Sequence, residues 1–492
     1  MLRLTGSLSL VFLTLLSSTH AHHSYSFENT AIVRQVELAG SLVQVVTTYA
    51  VKALEKNAKA YTIALSSNDK EKTSWLEAKV KGQQQALPVR DHGKEPTNGY
   101  HLIDVELPKP LGLNETLNIV LETIQTHAAK PWPASASQND EQSLLFKTDL
   151  FVISPYQTLV QRSKLRSPTP RIVEFTEPKD LEAFTLDTPA TKSGATITYG
   201  PFNNIPPSAD EDFLSKTQQP ISVQYMYDHP VLEVSSLKRA AEISHWGSNL
   251  NIQDEIRLRN GGPELKGHFS RLDHQAQAFY KRPSPHVLPA LSLHLPAGIR
   301  NTYFYDIIGN VSTSHLRVAP APPKSLKSRT PQYSVLDLRP RYPLLGGWNY
   351  TFTLGWDSDL SDSAVYDSKS GKYIVKVPVM TLIPGAVVNQ AEVTVILPEG
   401  ATDVDFSLPW PAVSTSSSTV TTYLDTTGRP ALTFVYERLT TRHDGDIYVS
   451  YKVPLSAHLK KPTAVATAFM GLFVLTLIGR RINLSLHPSK TA

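Results

Sequence analysis

The sequence predicts a mostly β protein, in which two antiparallel β-sandwich-like domains are followed by one C-terminal transmembrane α-helix. Apolar and polar residues alternate with a period of two along most of the 492-residue chain, which is typical of strands that bury one face of a sheet. Near the end, residues 463–479 carry no charge and are bordered by pairs of basic residues. The β domains are therefore expected first and the membrane helix last.

The alternation locates the strands in chain order. Each alternating segment places one set of side chains inward and the other in solvent, as antiparallel sheets do. A hairpin is expected over residues 420–436, because Thr-Thr-Gly-Arg-Pro at 426–430 separates two β-rich runs. The other alternating segments are 43–51, 103–107, 117–121, 252–258, 291–295, 352–356, 373–379, 393–397 and 447–453.

A proline-rich region divides these strands into two groups. Prolines repeatedly interrupt the pattern between residues 179 and 228, so we place the domain boundary in or just after this region. The predicted domains cover residues 22–228 and 229–459, and a short helix is expected at 180–184.

The two predicted domains share a short sequence similarity. Arg34-x-x-Glu37-Leu38 precedes the first strands, and Arg239-x-x-Glu242-Ile243 precedes the second set. This repeat favours two domains of similar build, each near 200 residues, which is about the size of one domain with its own core.

The uncharged run near the C-terminus predicts a membrane span at residues 460–481, including its basic flanks. At about 1.5 Å per helical residue, a run of about 17 residues is at the short end for a hydrocarbon core about 30 Å thick. We therefore expect Lys460 and Lys461 to extend along the helix and place their ammonium groups among the lipid headgroups. The alternative is a buried core helix, but such a helix usually keeps one polar face and this run has none.

Small residues on the span predict contacts with other membrane helices. Ala466, Ala468 and Gly471 leave room for a neighbouring backbone to approach closely.

The N-terminus predicts on which side of the membrane the β domains lie. Arg3, the apolar block at 8–16 and the small residues before His22 form the pattern of a secretory signal peptide, residues 1–21. With one later span, residues 22–459 are lumenal or extracellular and residues 482–492 are cytosolic. The expected topology is type I.

Composition excludes several classes of function. The net charge of +4 is mild for this length, and no basic run suggests binding to nucleic acid. The absence of cysteine excludes a disulfide scaffold, a thiol nucleophile and a cysteine-ligated metal. Stability must therefore come from large, well-packed cores.

No catalytic, cofactor-binding or metal-binding site is predicted. Paired carboxylates can hold a divalent cation, but aspartate beside a turn more often bonds the local backbone. His245 beside Trp246 has no partner histidine in the sequence, so we expect a packed or hydrogen-bonded structural residue. The Asp-x-Asp pairs considered are Asp357/Asp359, Asp403/Asp405 and Asp444/Asp446.

Asn-x-Ser/Thr sequons predict glycosylation of the exported part. Asn114, Asn310 and Asn349 begin such sequons. Asn483 matches the pattern too, but it is cytosolic in the expected topology and should stay unmodified.

Several segments, in order along the exported part, resemble the ribophorin I family. The specific segments begin with Glu242-Ile-Ser-His-Trp-Gly247 and continue with 262–271, 305–316 and 338–348. Residues 396–401, 423–430 and 199–206 also look like the family. Ribophorin I is the large non-catalytic subunit of the endoplasmic reticulum oligosaccharyltransferase, which transfers an oligosaccharide from dolichyl diphosphate to asparagine in nascent chains.

The resemblance implies two lumenal β domains, one C-terminal span, a short cytosolic tail and no active site or cofactor of its own. It implies that Asn310 is the sequon of this chain that corresponds to a glycosylated position in the family. The implied partners are the other subunits, including the catalytic one, with membrane lipid around the span and nascent polypeptide as a further candidate.

Two other functions fit parts of the pattern. The same topology and strands suit an adhesion or receptor ectodomain at the plasma membrane. A metal-dependent transferase using Asp357 and Asp359 is the third possibility.

Overall fold

The computed structural model describes residues 26–94, 99–280, 284, 286–320, 332–422 and 425–482. Most of this chain is strand, and one long apolar helix follows the last strand, which confirms the predicted fold class. The predicted signal peptide, Asn483 and the cytosolic tail lie outside the described residues.

The first half contains fifteen named strands within the described residues. They are β1 (Phe27–Glu37), β2 (Leu42–Ala53), β3 (Ala58–Leu65), β4 (Thr73–Val80), β5 (Val89–Lys94), β6 (His101–Leu111), β7 (Thr116–Thr126), β8 (Ala129–Pro131), β9 (Ser135–Ala136), β10 (Ser143–Asp149), β11 (Thr158–Arg166), β12 (Ile172–Phe175), β13 (Ala190–Ser193), β14 (Thr196–Ile205) and β15 (Pro220–Met226).

The second half contains the remaining named strands. They are β16 (Leu232–Ser244), β17 (Asn249–Asn260), β18 (Glu264–Leu265), β19 (Leu291–Pro296), β20 (Arg300–Asp306), β21 (Gly309–Asn310), β22 (Ser314–Arg317), β23 (Tyr333–Leu338), β24 (Asn349–Asp359), β25 (Ala364–Asp367), β26 (Lys372–Pro378), β27 (Val387–Ile396), β28 (Thr402–Ser407), β29 (Ser414–Val420), β30 (Arg429–Leu439) and β31 (Asp446–Lys452).

Helices are few and mostly short. The named helices are α1 (Ser67–Lys72), α2 (Glu211–Lys216), α3 (Arg271–Tyr280), α4 (Leu360–Ser363) and α5 (Leu455–Arg481). The helix predicted at 180–184 is wrong: this segment is a turn, in which Asp180 has φ 58° and the amides of Phe184 and Thr185 both donate to the carbonyl of Leu181. A left-handed residue at the start prevents a helix from beginning there.

Each half is built on one large mixed sheet with the same connections. The strand order is β13-β14-β11-β1-β2-β7-β4 in the first half and β21-β20-β24-β17-β16-β27-β30-β29 in the second. In both, the first strand pairs antiparallel with the next strand and parallel with a strand that arrives much later, β1 with β11 and β16 with β27. Alternation alone does not predict these parallel pairs.

Smaller sheets cover the large ones and close the cores. They are β12-β15-β10-β8 and β3-β6-β5 in the first half, and β19-β23-β22 and β25-β26-β31-β28 in the second. In the described chain, strands up to β15 and strands from β16 onward pair among themselves, except for the short parallel pair β9 and β18. The exact boundary at 228/229 stays a prediction.

The repeated arginine occupies the same place in both halves. Arg239 of β16 donates through Nε and Nη2 to the Asp254 carboxylate at 2.7 and 2.6 Å, and both side chains are fully buried. Its Nη1 donates to the carbonyl of Pro378, the last residue of β26, at 2.7 Å. One side chain thus joins two strands of the large sheet to the covering sheet.

Arg34 makes the equivalent connection in the first half. Its Nη2 donates to the carbonyls of Asp149, the last residue of β10, and of Leu150, at 2.6 and 3.1 Å. Opposite Arg34 on β2 lies Thr47, whereas Asp254 lies opposite Arg239 on β17. The first half therefore keeps the cation and its carbonyl acceptor but lacks the bidentate carboxylate.

The two halves pack against each other along several contacts. Trp75 of β4 contacts Trp410 edge-on, with ring centroids 4.7 Å apart. His127 bonds Asn389 at 2.8 Å, and Arg442 pairs with Glu122. These contacts hold the first half on the second, which in turn carries the helix.

Asp254 provides a test of the buried ion pair. Asp254→Asn leaves Arg239 as a buried cation without its counter-charge, so we expect the free energy of unfolding to fall by about 3–5 kcal/mol. The measurement is denaturant unfolding of the full chain in detergent, followed by tryptophan fluorescence, because Trp356 lies 5.7 Å from the Arg239 guanidinium.

Asp212→Asn is the matched control for this prediction. It breaks the Lys216–Asp212 pair, whose side chains are 73% and 87% exposed, and should change stability by less than about 1 kcal/mol. Equal unfolding midpoints for the two variants would contradict the role assigned to the buried pair.

Candidate functional site

The last helix is longer than the sequence predicts, because it begins before the uncharged run. Helix α5 covers 27 residues, Leu455–Arg481, so it is about 40 Å long at about 1.5 Å per residue. It is long and apolar enough to cross a membrane, and no described part of the chain buries it. The core-helix alternative therefore does not apply, while the uncharged run at 463–479 keeps the length that the sequence shows.

Two lysines at the start of α5 are held by acidic residues of the second half. Lys460 Nζ lies 3.0 Å from Glu399 Oε1, and Lys461 Nζ lies 2.6 Å from Asp425 Oδ1. The side chains of Glu399 and Asp425 are only 7% and 0% exposed. Both ammonium groups are therefore paired with carboxylates of the second half, a contact that the sequence analysis did not predict, and their position among the lipid headgroups stays a prediction. We call this set of four residues the lysine clamp.

Backbone and hydroxyl donors fix the acidic side of the lysine clamp. Glu399 accepts hydrogen bonds from the amides of Thr426 and Thr427, both at 3.0 Å. Asp425 accepts from the amide and the hydroxyl of Thr422 at 2.8 and 2.6 Å. The turn preceding β30 and the loop following β27 thereby form one rigid acceptor site.

Arg429 extends the ion network to the first strand of the second half. Its Nε lies 3.3 Å from Asp425, and its Nη1 pairs with Glu242 of β16. A chain of charges therefore runs from the central strand β16 through Arg429 and Asp425 to Lys461 on the helix. This network of ion pairs connects the large sheet to the helix.

The carboxylates of the lysine clamp remain ionised well into acid. Burial raises the pKa of Glu399, but hydrogen bonds from Thr427, Thr426 and Lys460 outweigh it and hold that pKa well below its usual range. Burial also raises the pKa of Asp425, and Lys461 with Thr422 more than reverses the effect. Because both pKa values are depressed, the stabilisation is complete above the ordinary carboxylate pKa values and is lost only as the pH falls below them.

An aromatic cleft lies beside the lysine clamp, where α5 begins. Its volume is about 590 Å³, and it is lined by His245, Trp246, Tyr366, Tyr373 and His458 among others. His245 bonds the Tyr451 hydroxyl at 2.8 Å and packs on Tyr373 and His458 with ring centroids 4.4 and 5.3 Å apart. The expected packed, hydrogen-bonded role of His245 is confirmed. We call this space the junction cleft.

The Asp-x-Asp pairs do not converge on a metal site. Asp357 accepts from the side-chain amides of Asn249, Asn251 and Asn301 at 2.8–2.9 Å, and Asp359 pairs with Arg300 at 2.5 Å. Both lie in strand β24 rather than in a turn. In the described chain, no three histidine or carboxylate side chains are grouped as a metal would need.

In each of the other two Asp-x-Asp pairs, one aspartate contacts lysine side chains. Asp403 lies in strand β28 and contacts Lys452 at 2.9 Å and Lys372 at 3.3 Å. Asp446 contacts Lys376 at 3.6 Å. Asp403 and Asp446 therefore pair with lysines on neighbouring strands of the covering sheet β25-β26-β31-β28 and are not free to hold a metal.

The three predicted glycosylation sites are all exposed. Asn114 has φ 62° in the turn between β6 and β7, Asn310 ends the two-residue strand β21, and Asn349 begins β24. Arg341 Nη2 donates to the carbonyl of Asn310 at 2.9 Å, so the backbone is anchored while the side chain faces outward. Their occupancy stays a prediction.

The predicted packing residues of the span are also exposed. Ala466, Ala468 and Gly471 have no described neighbour outside the helix, and a Cβ added at Gly471 would meet nothing within 4 Å. Their contact with other membrane helices stays a prediction.

Three segments that are distant in the sequence meet at the start of α5. Residues 242–247 line the junction cleft, and residues 396–401 and 425–430 supply the acceptors of the lysine clamp. These are segments on which the family resemblance rests. A family model described as Ribophorin I matches residues 27–480.

The chain belongs to the ribophorin I family.

Other ribophorin I family members confirm the extent of the similarity. The chain is 30% identical over 431 residues to dolichyl-diphosphooligosaccharide–protein glycosyltransferase subunit 1B of Arabidopsis thaliana, which covers 88% of this chain and 84% of the relative. It is 28% identical over 484 residues to subunit 1 of Caenorhabditis elegans, covering 98% of this chain and 76% of the relative. A subunit 1B of Oryza sativa subsp. japonica is 30% identical over 395 residues, covering 80% and 76%.

In this ribophorin I family member, the sequence indicated the two lysines at the start of the helix but not their carboxylate partners. Glu399 and Asp425 lie in loops, where nothing in the sequence separates a buried acceptor from a solvated turn residue. The available signal was that both residues lie in segments that resemble the family, 396–401 and 423–430.

Glu399→Gln tests the lysine clamp. The substitution keeps the side-chain shape but removes the charge that holds Lys460, and hydrogen bonds to charged groups contribute about 1.5–3 kcal/mol. We expect the amides of residues 457–461 to exchange with deuterium about tenfold faster, because the first turns of α5 detach more readily from the second half.

Glu392→Gln on the exposed face of β27 is the control and should leave this exchange unchanged. If both variants exchange at the wild-type rate in residues 457–461, the lysine clamp does not restrain the helix.

Proposed function

We propose that this chain is a subunit of the oligosaccharyltransferase complex in the endoplasmic reticulum membrane. The observation that carries the proposal is the family match along residues 27–480, together with relatives that are named as subunits of this transferase. The complex transfers a preassembled oligosaccharide from dolichyl diphosphate to asparagine in nascent proteins. Family membership argues against the adhesion or receptor alternative.

The proposed role is assembly and handling of the acceptor polypeptide, while another subunit performs catalysis. The Asp357 and Asp359 oxygens already accept bonds from amides and a guanidinium, so they are poor ligands for a catalytic cation. The chain contributes rigid β surfaces instead. Through the lysine clamp, these surfaces stand at a defined position relative to the membrane.

We propose a type I orientation with the β domains in the lumen. Helix α5 is then the membrane anchor, and its partners are the other subunits, including the catalytic one, together with surrounding lipid. Nascent polypeptide passing to the catalytic subunit is a further candidate partner of the lumenal surface. The orientation rests on the predicted signal peptide and on the position of α5 after the last strand.

Recovery of partners in mild detergent tests the subunit proposal. The tagged full chain should recover further membrane subunits and transferase activity towards an Asn-x-Thr peptide. Gly471→Leu should recover them severalfold less, because a large side chain prevents close helix approach. Gly479→Leu is the control at the membrane edge, since a Cβ there also meets nothing within 4 Å in the described chain. Recovery of the wild type as a lone monomer would overturn the proposal.

Glycan mapping tests the proposed orientation. Asn310 should carry an N-linked glycan and Asn483 should not, because only the lumenal side meets the transferase. Mass spectrometry of glycopeptides measures both sites, and sensitivity to an enzyme that removes high-mannose chains reports retention in the endoplasmic reticulum. A glycan on Asn483 with none on Asn310 would mean the opposite orientation.

A further inference from the structure

The junction cleft lies where the chain enters the membrane. His458, in the first turns of α5, forms part of its wall, and the uncharged run begins five residues later at Thr463. Five helical residues correspond to about 7.5 Å along the helix axis. With α5 across a membrane, the mouth of the junction cleft is therefore at the level of the lipid headgroups.

The rim of the junction cleft is apolar and exposed. Trp246, Val365 and Tyr366 are 61%, 68% and 55% exposed, and they come from two separate segments, the loop after β16 and strand β25. Tryptophan and tyrosine are enriched at membrane–water interfaces because each ring joins an apolar body to a polar tip. The rim is therefore suited to contact with lipid rather than with bulk water.

The interior of the junction cleft is rich in rings and, among the described residues, has no permanently charged side chain in its lining. In the described chain, no lysine, arginine or carboxylate side chain lines it. Burial, together with neighbouring His458, lowers the pKa of His245 to about 4, so its imidazole is neutral at pH 7. Such a cleft offers no ion pair to a phosphate or carboxylate, which excludes acidic headgroups as its preferred ligands.

The same interior suits a quaternary ammonium group. Aromatic faces attract cations through the ring quadrupole, tryptophan most strongly, and a trimethylammonium group has no N–H that must find an acceptor. Tyr366 and Tyr373 pack with ring centroids 4.9 Å apart, and Tyr373 packs on His245, so the two tyrosine rings are held in place before any ligand arrives. The volume of about 590 Å³ is within the range of about 300–1,000 Å³ typical of small-molecule sites.

We propose that the junction cleft binds the choline headgroup of a phosphatidylcholine molecule in the adjoining membrane leaflet, with Trp246, Tyr366 and Tyr373 as the ring contacts. An ethanolamine headgroup fits less well, because its ammonium would lose hydrogen bonds to water that the rings do not replace. The proposal requires that α5 crosses a membrane, and it does not depend on the transferase complex. Its failure is therefore distinguishable from failure of the proposed function.

The test uses the full chain in lipid nanodiscs made from equal amounts of phosphatidylcholine and phosphatidylethanolamine. After extraction into detergent, lipids that remain with the protein are measured by mass spectrometry. For wild type we expect phosphatidylcholine to be enriched about tenfold over the bulk ratio, as two or three cation–π contacts allow. No enrichment would overturn the proposal.

Substitutions of the rim residues test whether the enrichment in phosphatidylcholine arises at the junction cleft. Trp246→Ala and Tyr366→Ala should return the retained lipid towards the bulk ratio, and because these side chains are exposed the unfolding midpoint should not change. Trp132→Ala, which removes a similarly exposed tryptophan from the first half, should keep the enrichment.

Tyr366→Phe separates the ring from the hydroxyl. This variant keeps the aromatic face and should therefore retain the enrichment in phosphatidylcholine. A variant that lacks the ring, or one that is misfolded, should lose the enrichment. Loss of enrichment in Tyr366→Phe, or full enrichment in Trp246→Ala and Tyr366→Ala, would overturn the assignment of the headgroup to these rings.

Discussion

The attachment of α5 to the second half depends on the ion pairs between two lysines of the helix and two buried carboxylates. Glu399 and Asp425 are almost completely shielded from water, so their charges need cations at close range. Detaching the helix would leave Glu399 with only hydroxyl and amide donors and Asp425 with Thr422 and Arg429. These ion pairs therefore fasten the helix to the second half, and Arg429 continues the network to the central strand β16.

A buried cation also connects the sheets within each half. A chain without cysteine cannot cross-link its sheets covalently, and in both halves a buried arginine joins the large sheet to the covering sheet instead. Arg239 is neutralised by Asp254, while Arg34 relies on backbone carbonyls, so the second half has the more complete arrangement. That difference is consistent with its position, because the second half bears the helix directly.

Much of the fold could be predicted from the sequence, and the repeat was its most informative feature. Alternation located strands such as Val43–Val51 within β2, and the arginine repeat indicated two halves of similar build. The strand register and the parallel pairing could not be predicted from the sequence, because β1 pairs with β11, which lies more than a hundred residues later in the chain. For the site, the lysines were expected at the headgroups because the sequence shows their distance from the apolar run but not the acceptors that folding brings beside them.

If α5 crosses a membrane as proposed, three features agree on the height of the membrane surface along it. The lysine clamp ends at Lys461, and the next residue, Pro462, has no N–H to donate to the carbonyl of His458. Inside a hydrocarbon core an unpaired carbonyl is unfavourable, whereas beside water or headgroups it finds a donor. From Thr463 onward the polar groups satisfy themselves within the helix, as when the Thr463 hydroxyl donates to the carbonyl of Leu459 at 2.7 Å. In the proposed topology the aqueous part of α5 ends close to Pro462, and because the junction cleft opens one turn earlier, its aromatic rim meets the headgroups rather than the acyl chains.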